Sequence, residues 1–212
     1  DWKILRDNKT KEINRLNGMY EKILEGPGVE VIRGTGRISG PNSVVVGERE
    51  LHTSRILIAT GGWPFKPEIP GIEHAIDSNE VFSMETFPQD AVVVGGGYIA
   101  VEFAGIFNGL GANTHLLYRG NQILRGFDNE VRGYVTEEIA KSGVKISHNT
   151  DVVAIEKLSN GRIRCLLNNN SSIECDTVLY ATGSRRKTDN LGIEALGVNL
   201  RKDGTIITDE SF

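Results

Sequence analysis

The sequence predicts an α/β fold built on a parallel sheet, and three observations predict it. Ala91-Val92-Val93-Val94 is apolar throughout, as a strand buried on both faces must be. Gly95-Gly96-Gly97 follows it at once and opens a helical pattern. From there to residue 147 the pattern alternates strand, helix, strand, helix, strand, which calls for right-handed crossovers between parallel strands.

Apolar Ile13, Leu16, Met19, Tyr20, Ile23 and Leu24 recur at helical steps, so residues 3–25 read as a helix closed by Gly26-Pro27-Gly28. Short strand-like runs follow at Val29–Arg33, Gly36–Ser39, Val44–Val46 and Arg55–Ala59, separated by turn residues. Prolines 64, 67 and 70 make a stiff extended connection, and a domain crossing is expected near residues 71–80. Helices are expected at 98–109 and 129–142, with strands at 113–118 and 144–147. Residues 151–180 read as a meander with turns at Asn160-Gly161 and 168–170, and Asp176–Ala181 as another apolar strand. A last strand is expected at Thr205–Thr208. Ile58-Ala59-Thr60-Gly61 and Tyr180-Ala181-Thr182-Gly183 echo one another as strand ends followed by glycine.

Composition narrows the function. Glycine is 25 of 212 residues, above the usual ~7%, which points to tight turns and close backbone approach to a ligand. The net charge of −4, with no basic block, argues against nucleic acid as a partner. No apolar run reaches the ~18 residues of a membrane span. Two cysteines are too few for a disulfide framework, and a reducing cytoplasm is the simplest expectation. Cys165 and Cys175 lack a neighbouring base or helix start to activate them and read as structural. Histidines 52, 74, 115 and 148 are scattered, so no metal site is expected.

Gly95-Gly96-Gly97-Tyr98-Ile99-Ala100 fits G-x-G-x-x-G/A in its proper strand-to-helix context. Gly95 allows the tight turn, Gly97 lets a pyrophosphate approach the backbone, and Ala100 lets helix and strand pack closely. Amides at the helix start then hold phosphate oxygens. The pattern is that of a Rossmann-like dinucleotide-binding domain. A site for NAD carries an Asp or Glu about 20 residues on. This chain has Tyr118, then Arg119 and Arg125. Two guanidinium groups suit a 2′-phosphate, so the expected cofactor is NADPH rather than NADH.

The run from Gly95 to Phe107, together with Tyr118-Arg119 and Ile123–Asp128, resembles the pyridine nucleotide-disulfide oxidoreductases of the glutathione reductase type. The likeness extends to Ile56–Gly62, Asp77-Ser78, Ala181–Gly183, Leu191-Gly192 and the tail. The resemblance implies an enzyme that uses NADPH and FAD to reduce glutathione disulfide, as a homodimer. It implies NADPH contacts at Gly96, Ile99, Arg119, Arg125 and Gly183. It makes Tyr98 an aromatic lid over the flavin and Glu102 a carboxylate near the nicotinamide. Tyr98 and Glu102, at i and i+4, share one helix face. Gly36 and Thr60 match FAD contacts.

The resemblance also implies a division of the chain. Residues 1–75 would be part of an FAD-binding domain, 76–186 the NADPH-binding domain, and 187–212 a return into the FAD or central domain. The redox Cys-x4-Cys and the catalytic His-Glu pair of such enzymes would lie outside this sequence, so the 212 residues alone are expected to be inactive. After Gly183 the family carries Arg, then Pro and Asn; this chain has Ser184, Arg186 and Lys187, with Arg185 as the neighbouring charge. Two other readings stay open: a non-catalytic NADPH-binding module, and a related flavin enzyme. Within the latter, an NAD-preferring dihydrolipoamide dehydrogenase fits Tyr118-Arg119 poorly, whereas trypanothione and mercuric reductases differ in residues beyond this sequence.

Overall fold

The computed structural model describes residues 1–210, which divide into two compact units. One unit contains residues 7–63 and those from 185 onward; the other contains residues 1–6 and 64–184.

Helix α1 (Trp2–Glu25) begins before the first unit and continues into it. It stops where predicted, at Glu25, and the closing turn carries Gly28 at a φ of 81° that suits glycine. None of its residues is buried, despite the regular apolar spacing. Strands β1 (Gly36–Gly40), β2 (Ser43–Val46) and β3 (Arg49–His52) form an antiparallel meander in that order. The tail is tied to it: the Ile38 amide donates to the Leu191 carbonyl at 2.7 Å, and Ile193 is fully buried. Three expected strands are absent. Val29–Arg33 and Arg55–Ala59 are irregular, and Leu57 is 89% exposed, because no strand lies alongside to complete their hydrogen bonding among the described residues. At 205–208 there is a single bridge, between Leu200 and Ile206. The three-residue strands β4 (Gly62–Pro64) and β12 (Ser184–Arg186) occur where the chain passes between the units.

The second unit is the predicted parallel α/β fold. It opens with Trp2, whose indole donates to the Met84 carbonyl at 2.8 Å and whose ring lies tilted against Phe87, with centroids 5.2 Å apart. Helix α2 (Ser78–Val81) is a single turn under a capping box: Asp77 accepts from the Asn79 and Glu80 amides while Glu80 reaches back to the Asp77 amide. Strands β5 (Asp90–Val94), β6 (Asn113–Tyr118) and β7 (Lys145–His148) are parallel, crossed by α3 (Tyr98–Gly109) and α4 (Asn129–Lys141). An antiparallel meander of β8 (Val152–Lys157), β9 (Ile163–Leu167) and β10 (Ser172–Cys175) follows. Strand β11 (Thr177–Tyr180) then returns to pair in parallel with the other edge of β5, giving the order β11-β5-β6-β7.

Strand β5 is apolar because both its faces are covered. Ala91 and Val93 pack with Ala100, Phe103, Ala104 and Phe107 of α3, while Val92 and Val94 pack with the meander's Ile155, Ile163 and Cys165. Charge locks the meander to the start of the sheet. Asp176 accepts from the Gln89 and Asp90 amides, and Arg162 donates to Asp90 at 2.8 Å. The Asn113 amide, then Arg162, hold the Asp90 carboxyl below its ordinary range.

Both cysteines are reduced and buried. The adjoining Cys175 thiol, then burial, push the Cys165 thiol strongly upward. Their predicted structural role agrees with this setting.

Two outcomes follow for stability. Phe107→Ala opens a fully buried site between helix and sheet, and should lower the unfolding free energy by about 3–5 kcal/mol in urea denaturation. In native protein at pH 8, Cys165 and Cys175 should resist a thiol-specific reagent over minutes, then react together once urea unfolds the chain.

Candidate functional site

A cavity of about 330 Å³ lies at the carboxyl ends of β5, β6 and β11. This is where an open α/β sheet takes its ligand, between strands that run out to opposite sides of the first one. Val94, Leu117 and Tyr180 form its floor, and Gly95, Gly96, Gly97, Tyr98 and Ile99 form one wall.

Each glycine of that wall serves a different need. Gly95 has φ 145°, and a Cβ there would stand 2.3 Å from the Ala181 carbonyl oxygen. At Gly96 a Cβ would strike the Tyr118 ring at 2.4 Å. Gly97 faces open space, with nothing within 4 Å of a would-be Cβ, so its bare Cα leaves room for a ligand. Ala100 is fully buried against the sheet, as the motif requires.

Gly97 is the N-cap of α3 and contributes no side-chain cap. Amides of the first helical turn therefore lack intrahelical partners and carry the helix's partial positive charge. Arg119 and Arg125 line the same cavity, and among the described residues neither guanidinium has a carboxylate partner. A bare helix start and two exposed cations around one cavity are groups that can bind anionic oxygens.

The opposite rim comes from residues that sequence reasoning did not assign to the site. Phe65, Pro67 and Thr182 line it, and Gly183 joins them with φ 113°. The rim is stitched together by the Phe65 amide donating to the Gly183 carbonyl at 2.9 Å and the Thr182 hydroxyl donating to the Phe65 carbonyl at 2.9 Å. The echo of Ala-Thr-Gly at 59–61 and 181–183 was the available signal. Asp151 also lines the cavity, near the buried Tyr180 hydroxyl. Burial first, and the Asp151 charge second, push that phenol upward, so it stays neutral.

Eight of the expected residues thus share one cavity: Gly95, Gly96, Gly97, Tyr98, Ile99, Arg119, Arg125 and Gly183. Glu102 is exposed one turn along α3 from Tyr98, outside the lining. Gly36 and Thr60 belong to the other unit. Gly36 pairs with Val46, and the Thr60 hydroxyl donates to the Lys187 carbonyl at 2.5 Å. Ser184, Arg186 and Lys187, which depart from the family pattern, are exposed, as is the neighbouring Arg185. No group of three or more potential metal ligands occurs among the described residues, and no helix there is long and apolar enough to cross a membrane.

Comparison with known proteins agrees with this geometry. The chain is 42% identical over 209 residues to glutathione reductase of Burkholderia cepacia, covering 99% of this chain and 46% of that protein. It is 41% identical over 210 residues to the chloroplastic/mitochondrial glutathione reductase of Pisum sativum, covering 99% and 38%. It is 37% identical over 223 residues to trypanothione reductase of Trypanosoma congolense, covering 99% and 45%. The chain therefore spans less than half the length of these relatives. Among solved structures, the HOCl-induced flavoprotein disulfide reductase RclA from Escherichia coli superposes with a TM-score of 0.88 at 26% identity, over 96% of this chain and 48% of that one. The model of the pyridine nucleotide-disulphide oxidoreductase family matches residues 1–212, and the chain belongs to that family.

Proposed function

We propose that this chain is the NADPH-binding part of an FAD-dependent disulfide reductase whose substrate is glutathione disulfide. The observation that carries the reading is the pair of cations, Arg119 and Arg125, in the cavity whose wall is Gly95–Ile99. The residues present fit the dinucleotide. Gly97 offers open space, the first turn of α3 offers uncapped amides, and the site lacks the acidic residue after β6 that would repel a 2′-phosphate. When bound, NADPH supplies a hydride and FAD passes the two electrons to a disulfide.

The chain's own residues bind and orient. The Gly95–Gly97 turn and the α3 start hold the pyrophosphate, and Arg119 and Arg125 hold the 2′-phosphate by charge-assisted hydrogen bonds. Gly183 and Ile99 line the path on either side. Tyr98, 58% exposed at the helix start, is free to swing as an aromatic cover, and Glu102 lies on the same helix face as a nearby carboxylate. Residues 76–186 are read as the NADPH-binding domain, and residues 1–75 and 187–212, with Gly36 and Thr60, as parts of the FAD-binding region. Reduction of the disulfide itself is assigned to segments of the parent beyond these 212 residues, in a cytoplasmic homodimer. Glutathione is favoured over trypanothione because the glutathione reductases of Burkholderia cepacia and Pisum sativum are 42% and 41% identical, against 37% for the trypanothione enzyme.

Titration of the chain with reduced dinucleotides should show NADPH bound at least tenfold more tightly than NADH, from charge-assisted bonds of about 1.5–3 kcal/mol. Arg119→Ala and Arg125→Ala should each remove most of that preference while leaving NADH affinity within about twofold. Equal affinity of the unaltered chain for the two would overturn the cofactor assignment. In a spectrophotometric assay, the parent enzyme should oxidise NADPH with glutathione disulfide and much more slowly with trypanothione disulfide. The 212-residue chain with added FAD should show neither activity.

A further inference from the structure

Arg125 depends on an unusual stretch of backbone. Leu124, immediately before it, has φ 57°, the left-handed region that a branched side chain rarely adopts. Such a conformation persists only where the surroundings impose it. Here the peptide between Ile123 and Leu124 is gripped at both ends. Its N–H, from Leu124, donates to the Gly96 carbonyl at 2.5 Å. Its carbonyl, from Ile123, accepts from Nε of Arg132 at 2.8 Å. Arg132 also donates through Nη2 to the Gln122 carbonyl at 2.8 Å and through Nη1 to Asn129 Oδ1 at 2.9 Å, so all three guanidinium nitrogens are engaged.

The location of Arg132 makes this purposeful. It is the fourth residue of α4, in the first turn, where the helix dipole disfavours a cation. The neighbouring Asp128 carboxylate is already used as the N-cap, accepting from the Glu130 and Val131 amides. Arg132 does not line the cavity. Its gain comes from two successive carbonyls of the 119–126 loop, a geometry suited to a planar fork and not to a single ammonium.

We propose that Arg132 is a positioning residue for dinucleotide choice. By clamping the Gln122 and Ile123 carbonyls it orients the Ile123–Leu124 peptide against Gly96, and that orientation sets the φ of Leu124 and presents Arg125 to the 2′-phosphate. The inference rests on the NADPH reading above. It adds that the phosphate-binding arginine and the glycine turn are held in register by a third residue that touches neither cofactor nor cavity.

The test uses the full 212-residue chain with Arg132→Lys and Arg132→Gln. Lysine keeps the charge and most of the stem but loses the fork. Two measurements are made on each: hydrogen exchange at the Leu124 amide, with Phe103 and Leu116 amides as core references, and dissociation constants for NADPH and NADH. Both variants should lose protection at Leu124 with the references unchanged, and the NADPH-to-NADH preference should fall about tenfold through NADPH alone. A clamp that is merely structural would lower protection everywhere, or weaken both dinucleotides equally, and either result overturns the proposal. So does an unchanged preference in Arg132→Lys, which would assign the effect to charge. If the unaltered chain itself fails to prefer NADPH, the cofactor reading falls and the specificity role falls with it. Leu124 exchange then still decides whether the clamp holds the loop.

Discussion

The close passage of β5 beside β11 is the constraint on which the site depends. The Ala181 amide donates to the Val94 carbonyl and the Gly95 amide donates to the Leu117 carbonyl, so the end of β5 is pinned on both sides. At that point the Ala181 carbonyl occupies the volume a Gly95 side chain would need. No residue with a Cβ can stand there without prising β11 from the sheet, and β11 carries the opposite rim of the cavity. Tyr118 imposes the same demand from the other side, its ring lying between the Cα atoms of Gly96 and Gly120. The glycine turn is therefore shaped by its protein neighbours at two positions, and faces open space at Gly97.

That division explains why the motif was readable while the neighbours that impose it, the Ala181 carbonyl and the Tyr118 ring, were not. The apolar run at 91–94, the helix at 98–109 and the parallel order follow from local pattern, since a strand covered on both faces leaves little room for polar residues. Arg119 and Arg125 were also readable, because their distance from the glycines is set by one strand and one helix. The clamp by Arg132 was not readable, since it needs the three-dimensional return of α4 over the loop. Nor was the role of Phe65 and Thr182, which lie 117 residues apart and meet through one hydrogen bond.

The misread segments carry the complementary lesson. Arg55–Ala59 is apolar enough for a buried strand, yet a strand is a pairing and not a property of one segment. Its Ile56 and Ile58 are half-buried while Leu57 projects outward, so exposure alternates along it without a ladder. Conversely, Arg49–His52 is polar and was passed over, but the turn at Gly47 delivers it to β2 in register, Val46 opposite Arg49. Asp77-Ser78-Asn79-Glu80 held a complete capping signature that was noted only as part of a family likeness.

Strand β11 reaches its partner after an excursion of more than 80 residues, for Thr177 pairs with Ala91. Closing so long a loop is entropically unfavourable and tends to come late in folding. During synthesis the glycine turn, α3 and both arginines leave the ribosome well before Ala181–Gly183. A nascent chain can thus display one wall of the cleft while the other is still untranslated. Tight capture of a dinucleotide would then begin only as the second wall docks, making the cofactor a ligand of the finished sheet and a late reinforcement of it.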